Sequence, residues 1–77
     1  MKHFLDYVVR SLVDNPDDVQ ITEVSVANET GYRISLHPAD VGLVIGKGGR
    51  TISAIRSLIN AANKAGTHLA VEVVENS

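Results

Sequence analysis

None of the 77 residues is cysteine or tryptophan, which excludes a disulfide framework and a thiolate zinc site. No apolar run approaches the roughly 20 residues that span a bilayer, so no membrane insertion is expected. The start Met1-Lys2-His3-Phe4-Leu5-Asp6 meets an acid before any long apolar core, so it does not read as a secretory signal, and the expected compartment is the cytoplasm. His3, His37 and His68 are widely separated, with no H-x-x-x-H or H-E-x-x-H spacing, so neither a metal nor another cofactor is expected. His37 with Asp40 could form an acid/base pair, but the same two residues also fit a turn and the first turn of a helix. No serine, lysine or carboxylate stands in a recognisable nucleophile context, and catalysis is not expected. Repeats, low-complexity tracts and linkers are missing as well, which leaves one domain over residues 1–77. A domain this short buries only about 60% of its unfolded surface, so marginal stability and self-association are expected.

One further absence is local. Nothing acidic lies between Val41 and Gly66, where Lys47, Arg50, Arg56 and Lys64 stand, although the formal charge of the whole chain is −2. A positive segment on an acidic body directs a polyanion to one place and repels it elsewhere, whereas a domain that coats nucleic acid non-specifically usually has a high pI. The segment contains Gly46-Lys47-Gly48-Gly49, where glycines permit positive φ and close approach of another backbone. Ile52, Ile55, Leu58, Ile59 and Ala62 follow with the spacing of a helix that has one buried stripe. The glycines therefore sit at a helix N-terminus, where outward N–H groups and the positive end of the dipole favour an anion such as phosphate.

Two well-known phosphate loops do not fit. The Walker pattern places Lys47 where its second glycine is required, counting from Gly42, and the dinucleotide fingerprint counted from Gly46 and Gly48 finds Thr51 at its third glycine. The pattern that fits is I-G-x-x-G-x-x-I, from Ile45 to Ile52. A glycine-rich corner between two helices that binds nothing remains the alternative.

Elsewhere the periodicities are plain. Leu5, Val8, Val9 and Leu12 predict an amphipathic helix over 1–14, stopped by Asn15-Pro16. Residues 19–27 predict a strand whose apolar phase slips near Thr22-Glu23, the mark of a bulge or an edge strand. Asn28-Glu29-Thr30-Gly31 predicts a turn, and Tyr32, Ile34 and Leu36 a second strand paired antiparallel with the first. Pro38 opens a short helix with Val41, Val44 and Ile45 inward, and the helix from Arg50 is expected to run to about Ala65 and end at Gly66. Leu69, Val71 and Val73 predict a last strand, before a polar tail. The fold class is α+β in the order α-β-β-α-α-β, with a mixed three-stranded sheet packed on one side by three helices.

This order and the loop resemble the type II KH domain, whose G-x-x-G loop clamps the backbone of about four single-stranded nucleotides. Leu12 to Val19, His37 to Gly42 and Val44 to Lys47 resemble the small stand-alone bacterial KH proteins of the KhpA family. The resemblance implies a single-stranded RNA-binding protein, an RNA chaperone or post-transcriptional regulator. It also implies a KH/R3H-domain partner, KhpB, and a role in cell elongation, cell shape and peptidoglycan homeostasis. It assigns RNA contact to Gly46, Lys47, Gly48, Gly49 and Arg50. Ile45 and Ile52, with Val44 and Ile34, are candidates for the groove that holds the bases. The three aromatics, Phe4, Tyr7 and Tyr32, all lie far from the loop in sequence, so stacking platforms of the RRM kind are not supported. Leu43 and Gly48 depart from the family pattern, which commonly has a basic and a longer polar residue there, and both reduce phosphate contact. Leu43 is therefore assigned to a protein neighbour, in a homodimer or a heterodimer with KhpB. The alternative function is a dimerisation subunit with a weak or vestigial RNA site.

Overall fold

The computed structural model describes residues 1–26, 28–64 and 66–76, Val26 by its backbone alone. Helix α1 spans Lys2–Leu12, strands β1 and β2 span Gln20–Val26 and Glu29–Leu36, and helix α2 spans Val41–Ile45. Helix α3 (Arg50–Ala62) and strand β3 (Ala70–Glu75) complete the expected order, with short 3-10 turns at Pro16–Asp18, Pro38–Asp40 and Lys47–Gly49. The sheet order is β1-β2-β3, antiparallel between the first pair and parallel between the second.

Strand alternation puts Ile21, Tyr32, Ile34, Leu36 and Val71 on one face, where they form a single core with Leu5, Val9, Val44, Ile52, Ile55 and Ile59 of the helices. The opposite face carries exposed Thr22, Arg33 and Glu72, the last two joined as an ion pair.

Four expectations change. Leu12 is exposed rather than buried, because α1 ends there and Val13 is already extended. β1 pairs with β2 without interruption from Gln20↔Ser35 to Val26↔Glu29, so the phase slip marks an edge strand and not a bulge. Val24 simply lies on the face away from the helices. The turn comes earlier than expected: Asn28 takes positive φ, Glu29 is already paired, and Ala27 lies outside the described residues. Gly31 sits inside β2, where an added Cβ would lie 2.8 Å from the Ala70 carbonyl oxygen, so that glycine permits close strand approach. Finally, α3 ends at Ala62 rather than near Ala65, itself outside the described residues, because Asn63 turns extended and its side chain donates to the Thr67 carbonyl at 2.7 Å. Gly66 has positive φ but comes too late to cap that helix.

Candidate nucleic-acid interface

The turn that enters the helix before the glycine loop is anchored by a buried carboxylate. Asp40, 1% exposed, accepts hydrogen bonds from the Asp14 and Asn15 N–H groups at 3.2 and 3.0 Å and from Asn15 Nδ2 at 3.2 Å. The linker after α1 is thereby fixed to the turn that enters α2. His37 Nδ1 accepts the Ala39 N–H at 3.0 Å and caps the same turn. Both side chains serve the backbone, which removes them as an acid/base pair.

Val44 is fully buried, and Val41 and Ile45 pack half-buried against the core. The Gly46 N–H closes the helix on the Gly42 carbonyl at 2.9 Å. Gly46 then adopts φ 76°, ψ 171°, a region essentially confined to glycine. A Cβ there would overlap Thr51, reaching its Cβ at 2.8 Å and its backbone nitrogen at 2.9 Å. Gly48 (φ 63°, ψ 18°) and Gly49 (φ 77°, ψ 15°) are both left-handed, with open space where a Cβ would lie. The Gly49 N–H bonds to the Gly46 carbonyl at 3.1 Å, and that of Arg50 to the Lys47 carbonyl. The result is a tight turn laid against the first turn of α3, with no acidic residue in that turn. Lys47, Gly48 and Arg50 are exposed, and among the described residues neither basic side chain forms an ion pair. Two cations, a helix N-terminus and backbone free of side-chain bulk make a surface matched to a phosphodiester chain.

The predicted groove residues divide. Ile45 reaches the surface beside the loop. Ile52 is 4% exposed, and Val44 and Ile34 are fully buried, so these three support the loop and sheet from within. Tyr32 is also in the core. The four basic residues do not converge either. Lys47 and Arg50 flank the turn, Lys64 follows the far end of α3, and Arg56 lies between, with Nε and Nη2 donating to the Val71 carbonyl at 3.2 and 3.1 Å. One turn further along, Asn60 accepts the Leu69 N–H at 2.8 Å and donates to the Leu69 carbonyl at 3.0 Å. These long-range contacts have no signature in local spacing, although an Asn and an Arg four apart on a helix bordering a strand are the residue types that can reach a backbone edge. Leu43 is 44% exposed on α2, next to the loop.

Concavities of about 520 Å³ between α1 and β1, bordered by Lys2, His3, Asp6 and Arg10, and of about 260 Å³ near Asn28 and His68 lie away from the loop. An extended ligand therefore suits the loop better than an enclosed small molecule.

The family model described as KhpA/KhpB, KH domain, matches residues 2–73. The chain belongs to this family. RNA-binding protein KhpA of Chlamydia trachomatis serovar D is 41% identical over 76 residues, covering 97% of each chain. The protein of the same name from Halalkalibacterium halodurans is 44% identical over 62 residues, 80% of this chain and 82% of that one. The one from Mycobacterium leprae is 42% identical over 71 residues, 92% and 86% of the two chains. In this KhpA/KhpB KH domain the mixed sheet and three helices are those of an α+β KH fold, and the G-x-x-G turn falls between α2 and α3. Among the described residues no helix is long and apolar enough to cross a membrane, and no group of metal-ligating side chains occurs.

Proposed function

We propose that the chain works as one KH domain over residues 1–77, binding single-stranded RNA in the cytoplasm without catalysis, as an RNA chaperone or post-transcriptional regulator. The observation that carries this reading is the turn of three positive-φ glycines at the N-terminus of α3, flanked by exposed Lys47 and Arg50, which form no ion pair among the described residues. Gly46 and Gly49 let the phosphate chain pass close to the backbone, Gly48 presents its peptide group, and Lys47 and Arg50 neutralise charge. Ile45 meets a base, and Ile52 supports that contact from below. The names of the relatives support the same reading. The family resemblance supports a partnership with KhpB in cell elongation, cell shape and peptidoglycan homeostasis.

The test is filter binding of a short single-stranded RNA to wild type and to Lys47→Asp with Gly48→Asp. Asp is among the few residues that tolerate the left-handed conformation of Gly48, so the double variant stays folded while two carboxylates face the phosphates. Wild type should bind weakly, with log affinity falling by about 1.4–2.1 per decade of salt for two or three neutralised phosphates. The variant should not bind. Undiminished affinity in a folded double variant would remove the site.

A second reading rests on Leu43, an exposed apolar residue next to the loop: the chain dimerises with itself or KhpB, and its RNA site is secondary.

A further inference from the structure

One edge of the sheet is left open. β1 borders only β2, and Val26 pairs with Glu29 across a two-residue turn, the arrangement in which the closing pair exchanges both of its hydrogen bonds. Hydrogen-bonded and non-bonded pairs then alternate along an antiparallel ladder. Val24, Thr22 and Gln20 therefore bond to β2, while Ser25, Glu23 and Ile21 turn their N–H and C=O groups outward. Val19 continues the outward series, but its groups are taken: its N–H donates to the Pro16 carbonyl at 3.2 Å, and its carbonyl accepts from Arg10 Nη2 at 3.3 Å. Beyond Val19, nothing among the described residues bonds to the edge.

Sheet edges are commonly blunted by proline, lysine, a bulge or a covering helix. β1 reads Gln20-Ile21-Thr22-Glu23-Val24-Ser25-Val26, with neither proline nor lysine, and its register with β2 is unbroken. Nor does α1 close over it. The concavity of about 520 Å³ between α1 and β1 opens beside Ile21 and Thr22, and Lys2 and His3 line its α1 side. Both are exposed, and among the described residues neither forms an ion pair. Glu23 is the one charged residue of the strand, in phase with Ile21 and so on the helix side of the sheet.

These charges choose the occupant and its register. Two copies related by a two-fold axis present the same edge to each other and pair antiparallel. Centring the pair on Glu23 would set like charges face to face, which destabilises. Centring it on Ile21 would spend Glu23 on the partner's Val19, whose groups are already bonded, and centring it on Val24 would leave Glu23 away from Lys2 and His3. Centring it on Thr22 sets Ile21 opposite the partner's Glu23, which then enters the concavity against Lys2 and His3. We propose that the outer edge of β1 is a self-association surface, on which a second copy of this chain adds its own β1 antiparallel and sets its Glu23 against Lys2 and His3. The two sheets become one. Each pairing of Ile21 with the partner's Glu23 exchanges both hydrogen bonds, a short ladder that makes a weak contact, separate from Leu43 on α2.

Because the chain has no cysteine, a single introduced thiol reports the register and traps a weak contact. In this pairing the two Thr22 Cα atoms stand about 4.5 Å apart, as in other non-hydrogen-bonded pairs, within reach of a disulfide. The two Gln20 Cα atoms are offset along the strands by about 14 Å. Both side chains are exposed, so neither substitution disturbs the core. Under mild oxidation, read by non-reducing electrophoresis, Thr22→Cys should form a disulfide dimer while Gln20→Cys stays reduced. Glu23→Lys in the Thr22→Cys chain should slow crosslinking about two- to thirtyfold, the scale of two exposed ion pairs lost, and adding Lys2→Glu should restore the rate. Leu43→Asp should leave it unchanged. Equal crosslinking through positions 20 and 22, or none in a folded Thr22→Cys chain, would overturn the pairing, and so would loss of the crosslink in Leu43→Asp. Failure of Lys2→Glu to rescue a Glu23→Lys chain shown by circular dichroism to be folded would overturn the register.

Discussion

Adding one methyl group at Gly46 separates conformational strain from loss of a ligand contact. At φ 76°, ψ 171° an L-residue costs about 1–3 kcal/mol in backbone strain alone. The new Cβ also meets Thr51, with the Thr51 backbone nitrogen at 2.9 Å, so a rotamer change cannot relieve the overlap. Overpacking of this kind adds about 1–3 kcal/mol. Gly46→Ala should therefore lose about 2–6 kcal/mol of the roughly 4–12 kcal/mol available to a domain of this length. Gly48→Ala is the internal control. Its φ is also positive, but a Cβ there meets nothing within 4 Å, so its cost is the left-handed penalty of about 1–2 kcal/mol. At about 4–8 °C per kcal/mol, Gly46→Ala should melt on the order of 10–50 °C lower and Gly48→Ala on the order of 5–15 °C lower, followed by circular dichroism and checked by urea titration. Adding Thr51→Ala to Gly46→Ala should restore part of the loss, because the Thr51 hydroxyl goes while its backbone stays. Equal melting temperatures for Gly46→Ala and Gly48→Ala would refute the reasoning, since they would show that Thr51 does not set the penalty.

Asp40→Ala leaves the part-buried N–H groups of Asp14 and Asn15 without their acceptor, and urea titration should record a loss of about 1–3 kcal/mol. Burial, and then the charge of Glu23, raises the Tyr32 hydroxyl above its ordinary pKa. The stability this represents is complete below the unfolded value of about 10 and is lost as pH rises through the folded one. Tyr32→Phe should flatten the alkaline decline of the unfolding free energy, and an identical slope above pH 10 would contradict the assignment. Leu43→Asp should shift a micromolar self-association to monomer in sedimentation equilibrium, whereas an unperturbed dimer would place the contact elsewhere.

What could be read directly from the sequence were the elements whose side chains obey a local period. Leu5 and Val9 on α1, Tyr32, Ile34 and Leu36 on β2, and Ile52, Ile55 and Ile59 on α3 are all buried as their spacing predicts. The glycine loop was legible because positive φ limits the choice of residue. Errors arose where a residue answers to a distant partner. Gly31 looked like turn chemistry, yet its need for glycine comes from Ala70 on the neighbouring strand. Asp40 looked like a helix-start acid, yet its oxygens serve a linker far earlier in the chain. Arg56 was counted as one positive charge among four, and only the fold brings it to the edge of β3. Ile52 has the spacing of a core residue and the motif position of a ligand contact, and burial decides in favour of the core.

The parallel pairing of β2 with β3 also has a consequence in time. Residues 37–69, which include the whole glycine loop, form one crossover whose ends are closed by neighbouring strands. Closing a long crossover costs chain entropy before its contacts repay any of it, which makes such steps late and slow. β3 leaves a ribosome after the glycine loop and α3, and the Asn76 N–H bond to the Leu36 carbonyl, 2.8 Å long, lies beyond it. During synthesis the loop is therefore complete in sequence well before its geometry can form. A nascent chain carries the glycines and both cations yet lacks the surface they make together, and the interface comes into being only when β3 docks.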